Sequence, residues 1–87
     1  MEINNLIEEI KNKICNKIKC EKIFIEDKTF LHKKHKNFNP KKFHIKITLV
    51  SSELKTKTKI EANKFIFNIL EQELKDHIHS IQLLINL

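Results

Sequence analysis

The stretch FHIKITLVS, residues 43–51, alternates strictly between apolar and polar positions. Phe43, Ile45, Ile47 and Leu49 fall on one side, and His44, Lys46 and Thr48 on the other. Successive side chains of a strand point to opposite faces, so this segment reads as a strand with one covered face. Whatever else the chain does, it must build a layer over that face. Two further segments qualify as strands: KIFIED (22–27), rich in Ile and Phe, and the closing IHSIQLLINL (78–87). Two helices supply the cover. Residues 2–19 place Ile3, Leu6, Ile7, Ile10, Ile14 and Ile18 three and four apart, and 60–74 offers Phe65, Ile66, Ile69 and Leu70 as a core face. The order helix, strand, strand, helix, strand implies a two-layer α+β domain with its helices on one face of a small sheet.

At 87 residues the chain has room for one small domain, 1–87, with a single core. A polar loop, KTFLHKKHKNFNPKK (28–42), joins the first two strands, holds the only proline (Pro40), and carries six lysines with no acidic residue. A second polar connector, SSELKTKTK (51–59), precedes the second helix and has room for a turn of its own. The net charge of +6 points to an anionic partner or simply to a well-solvated surface.

The absence of glycine excludes several functions. A P-loop, a GxGxxG dinucleotide turn and the GXXG clamp of RNA-binding KH domains all need backbone positions that glycine fills best. The chain also lacks arginine, the commonest bidentate reader of guanine, so sequence-specific nucleic-acid readout loses its main instrument while lysine attraction for phosphate survives. No acid–base pair or activated nucleophile stands out, so the chain does not read as an enzyme. Cys15 and Cys20 match neither a CxxC pair nor a zinc-finger spacing, and read as packing residues at the end of the first helix. No apolar run is long enough to span a membrane and no signal-like leader opens the chain, so a cytoplasmic location, with the nucleus as a second compartment, is the expectation.

The histidines remain. Of five, four fall in two short pairs: His32 and His35 in the loop, His77 and His79 at the mouth of the closing strand. Neutral imidazole is a common metal ligand. On a strand, His77 and His79 would share a face; three residues across a turn would likewise let His32 and His35 converge. Each pair also fits plain exposed polar residues. His44, facing away from Ile45 and Ile47, is a further candidate.

The order of elements and three local patterns resemble the BolA family over nearly the whole chain. IEDKTFLH (25–32) is similar to the family's strand end and Asp-x-Ser/Thr-x-x-His loop entry, with Asp27, Thr29 and His32 in register. FHIKITLVSSEL (43–54) resembles its second strand, running from His44 to Ser51, and LEQELKDHIHSIQL (70–83) its helix end, with the family's C-terminal histidine falling on His79. The connector departs from the family's Phe-Glu-Gly-Lys, reading Leu54-Lys55-Thr56-Lys57, and the helix start usually written Arg-His-Arg reads Ala62-Asn63-Lys64.

The resemblance implies an αββαβ fold, like a class II KH domain, with a three-stranded mixed sheet. It implies a non-enzymatic adaptor that partners a monothiol glutaredoxin of the CGFS type in iron–sulfur cluster trafficking or iron regulation. A [2Fe-2S] cluster would be shared between the glutaredoxin cysteine, a glutathione thiol, and two ligands from this chain. The isolated chain is expected to be a monomer, to bind no cluster alone, and to engage no membrane. The implied ligands are His79 and a loop histidine. His32 keeps the family spacing from Asp27 and is the first choice; His35 lies nearer the usual spacing to His44, which is the weaker candidate. His77 reads as an exposed neighbour. Mixed Cys/His ligation is Rieske-like in type and raises the cluster potential relative to all-thiolate ligation. The alternative is a basic KH-like nucleic-acid-binding or transcriptional regulator module, weak in affinity, using Lys55, Lys57, Lys59 and Lys64.

Overall fold

A computed structural model describes residues 2–29 and 42–87. Their order is α1 (Ile3–Lys17), β1 (Lys22–Asp27), β2 (Phe43–Val50), a short 3-10 turn (Ser52–Thr56), α2 (Lys59–Ile69), α3 (Glu71–Asp76) and β3 (Ile78–Ile85). β2 is central, antiparallel to β1 and parallel to β3. The sheet is therefore mixed, and the fold is the two-layer α+β arrangement that the pattern of segments implies.

The alternation of β2 holds from Ile45 to Val50, while His44, on the opposite face, is also buried. Ile45, Ile47 and Leu49 are buried and meet Leu6, Ile10 and Ile14 of α1 and Ala62 and Ile66 of α2 in one cluster. Ile25 and Leu83 flank Ile47, and Ile23 and Ile85 flank Leu49, so each buried row crosses all three strands. Truncating one of these residues to alanine leaves a cavity that costs about 2–5 kcal/mol. The opposite face carries Phe24, 62% exposed, beside half-buried Lys46 and Thr48. Among the described residues no helix is long and apolar enough to cross a membrane.

Local chemistry sets the boundaries. α2 begins in a capping box: Glu61 N–H donates to Thr58 Oγ1 (3.2 Å) while Thr58 N–H donates to Glu61 Oε1 (2.9 Å). Those bonds from Thr58 hold the Glu61 carboxyl below its ordinary value. The second helical segment, which reads in sequence as one helix over 60–74, is divided at Leu70 (φ −98°, ψ 15°). Leu70 sits in the core, and the bend there turns Glu73 inward. Cys20 packs half-buried against the core, whereas Cys15 is exposed; the helix ends its apolar stripe on Ile14 and Ile18, leaving no packing role for Cys15.

Glu73 is 1% exposed, and Lys13 Nζ lies 2.6 Å from its Oε2. Burial alone would raise the Glu73 pKa, but a hydrogen bond with Glu9 and the Lys13 ammonium outweigh it and hold the carboxyl below its ordinary value. Oε1 finds no donor while Glu9 is ionised. The hydrogen bond to Glu73, with burial, accordingly raises the Glu9 pKa. The pair is most stable with one proton. The Glu73 contribution fades as pH falls through its depressed folded value, and the Glu9 contribution fades as pH rises through its elevated one.

Lys13→Met should therefore destabilise the protein by about 1–3 kcal/mol in urea unfolding, because it leaves a buried carboxylate without its cation. Glu73→Gln in that background should recover part of the loss. An unchanged midpoint in Lys13→Met would show that the ion pair is not a structural tie between α1 and α3.

Candidate functional site

The β2–β3 register runs Phe43↔Ile78, then His44↔Ser80, so β3 carries one extra residue at His79. An extra residue of this kind bends the strand and re-aims side chains. Here it lets His79 and Ser80 both lie beside His44. The rings of His44 and His79 have centroids 4.8 Å apart and planes tilted by 59°. His44 Nδ1 is 2.6 Å from Ser80 Oγ. The histidine pair that the fold assembles thus spans two strands.

His77 and His79 do not share a strand face. His77 ends α3 (φ −130°, ψ −16°), outside β3, with its N–H donating to Glu73 O (2.8 Å) and its carbonyl accepting from Phe43 N–H (2.9 Å). The strand begins one residue later, so the two-residue periodicity does not reach His77. It is half-buried rather than exposed.

His44 is only 6% exposed although it lies on the face opposite Ile45. Its backbone is pinned on both sides. Lys28 N–H donates to His44 O (2.8 Å), and His44 N–H donates to Thr29 Oγ1 (3.1 Å). Thr29 in turn donates both its N–H (3.0 Å) and its hydroxyl to Asp27 Oδ1. Asp27 and Thr29 thereby hold the end of β1 against the His44 backbone, and Ser80 meets its ring. His79 is exposed. One imidazole is held rigidly and its neighbour is open to a partner.

His32 and His35 lie outside the described residues. Among the described residues no three His, Cys, Asp or Glu side chains converge to hold a metal ion. Two imidazoles are too few for a closed four-ligand site, but they suit a metal centre whose other ligands come from another molecule.

The basic candidates separate. Lys55, Lys57 and Lys59 line a cleft of about 320 Å³ at the far end of the sheet, while Lys64 is exposed outside that lining. Ser80 is the functional side chain that sequence reasoning passes over. Its signal is the apolar spacing in β3, three from Ile78 to Ile81 and then two to Leu83 and Ile85, which a regular strand does not produce.

A protein-family model described as BolA-like protein matches residues 14–86. No curated protein matches in sequence. Among solved structures, the BolA domain of SufE1 from Arabidopsis thaliana superposes with a TM-score of 0.77 at 20% identity, over 90% of this chain and 86% of that one. BolA1 from the same organism gives 0.77 at 15% identity with the same shares. The solution structure of BolA1 from Mus musculus gives 0.70 at 16%, over 88% of this chain and 60% of that one. At these identities the superpositions carry the fold.

Ser80→Ala should cost about 1–3 kcal/mol, since it strips a mostly buried imidazole nitrogen of its partner. Gln82→Ala, one row along the same strand face, should stay within about 0.5 kcal/mol. Equal urea midpoints for the two variants would mean that Ser80 does not hold the His44 ring.

Proposed function

Because this chain belongs to the BolA-like protein family, we propose that it is a non-enzymatic adaptor that lends two imidazoles to a [2Fe-2S] cluster shared with a CGFS monothiol glutaredoxin and glutathione. The observation that carries this reading is the His44–His79 pair at 4.8 Å, built by the extra residue in β3. His79, exposed at the sheet margin, is the ligand that an approaching partner meets. His44 is the second, ahead of the loop residues His32 and His35. Its Nδ1 lies 2.6 Å from Ser80 Oγ, which orients the ring. A hydrogen bond of this sort fixes tautomer and ring orientation and is a regular partner of metal-bound histidine.

The bound cluster supplies electron storage and a transferable iron–sulfur unit. This chain's part is to present nitrogen donors on a rigid margin. Neutral imidazole is a weaker ligand than thiolate, which favours a cluster that is passed on rather than retained. The net charge of +6 attracts the anionic cluster and the glutathione carboxylates.

Mixing the chain with a CGFS glutaredoxin, iron, sulfide and glutathione should give a heterodimer whose visible spectrum differs from that of the glutaredoxin homodimer. Nitrogen replaces sulfur on iron and weakens sulfur-to-iron charge transfer. His79→Ala should abolish the difference, and His77→Ala should leave it near wild type. Since His79 is exposed, its removal should alter stability by no more than about 0.5 kcal/mol. A folded His79→Ala variant that still forms the same complex with the same spectrum would refute the ligand role.

A further inference from the structure

The cleft at the opposite end of the sheet has a chemistry of its own. β2 and β3 run parallel, so the His44–His79 pair sits at their starts and the cleft at their ends, about 20 Å away at the usual rise per residue. Its inner wall is apolar, formed by Leu54, Ala62 and Ile85, and its rim carries the exposed ammonium groups of Lys55, Lys57 and Lys59. Neither ion pair formed among the described residues involves these lysines. Lys57 Nζ lies 5.3 Å from the centre of the Phe65 ring. The nearby side-chain carboxylates are committed elsewhere, Glu61 to the capping box and Glu53 to the Lys19 backbone N–H (3.0 Å), and Asn63, Asn86 and Leu87 complete the lining.

The cleft is built, not incidental. Asn86 adopts φ 56°, a conformation that few residues other than glycine accept. There its side chain clamps Ser51, accepting from the N–H (2.8 Å) and donating to the carbonyl (3.0 Å). Its own N–H donates to Leu49 O (2.8 Å), closing the end of β3 against β2. The 3-10 turn and the first turn of α2 form the other side. The result is a concave space near the lower end of the range for small-ligand pockets.

We infer that this cleft binds a small organic anion, a phosphate or carboxylate headgroup on a short apolar body, with the lysines taking the headgroup and Leu54, Ala62 and Ile85 the body. Three ammonium groups at one rim repel one another, and an oxyanion between them removes that repulsion. A nucleic-acid strand is the poorer occupant, because it needs a groove that tracks a backbone and aromatic platforms for its bases. No aromatic side chain lines this cleft.

The test is amide-resolved NMR titration of the whole chain with inorganic phosphate, n-butyl phosphate and n-butanol. Each methylene buried is worth about fourfold in affinity, so butyl phosphate should bind at least about tenfold more tightly than inorganic phosphate. Butanol should bind weakest. Shifts should saturate at residues 54–63 and 85–86 and spare 43–44 and 79–80. The triple variant Lys55→Gln, Lys57→Gln, Lys59→Gln should lose at least about tenfold. A control triple at the exposed Lys11, Lys17 and Lys22 should lose little. Equal losses in both triples, or no preference for the butyl ester, would reduce the effect to general lysine attraction and overturn the proposal. A DNA or RNA oligonucleotide that occupies these residues more tightly and extends to Lys64 would overturn the small-ligand assignment.

Discussion

The slip in register between β2 and β3 is the constraint from which the rest of the structure follows. A regular parallel pairing from Phe43↔Ile78 onward would put Ser80 on the core side and swing Ile81, Leu83 and Ile85 to the open face, since a one-residue shift inverts every side chain. One extra residue at His79 keeps those three turned inward beside Ile45, Ile47 and Leu49. The same residue brings His79 to His44. Core and candidate site therefore share one cause, and the histidine pair cannot drift without loss of burial along β3.

Short-range polar bonds hold the two ends of the sheet. At one end, Thr29 and Ser80 bond His44 directly, and Asp27 holds Thr29 in place. At the other, Asn86 clamps Ser51, Ser51 Oγ donates to Lys19 O (2.6 Å), and Ser52 donates to Glu21 through both its N–H and its hydroxyl. Those bonds from Ser52 hold the Glu21 carboxyl below its ordinary value. Hydrogen bonds to ionised groups are the stronger kind. The proposed partner would meet preset geometry at the His44–His79 margin, which lowers the ordering cost of binding.

Much of this is legible in the sequence because it depends on periodicity. β1 follows from its Ile and Phe content, the inward face of β2 from two-residue alternation, and the α1 stripe from spacings of three and four. What is not legible depends on breaks in period and on contacts distant in sequence. The division at Leu70 has no counterpart in the apolar spacing, and the burial of Glu73 is matched by Lys13, some sixty residues earlier. His77 and His79 look alike in sequence, yet the end of α3 claims one and the slip in β3 frees the other. The 78-to-81 apolar spacing marks that slip, but it gains meaning only once β3 is laid beside β2.

The proposed function has His44 and His79, brought together across two strands, both binding iron in the shared cluster. Pulsed electron paramagnetic resonance of the reduced complex with a CGFS glutaredoxin counts the nitrogens bound to iron. Two histidine couplings are expected in the wild-type chain and one in His44→Asn, whose amide can still meet Ser80 and so protects the fold. Both should persist in a His32→Ala, His35→Ala double variant. Two couplings retained in His44→Asn, with one lost in the loop double variant, would contradict this assignment and return the second ligand to the loop.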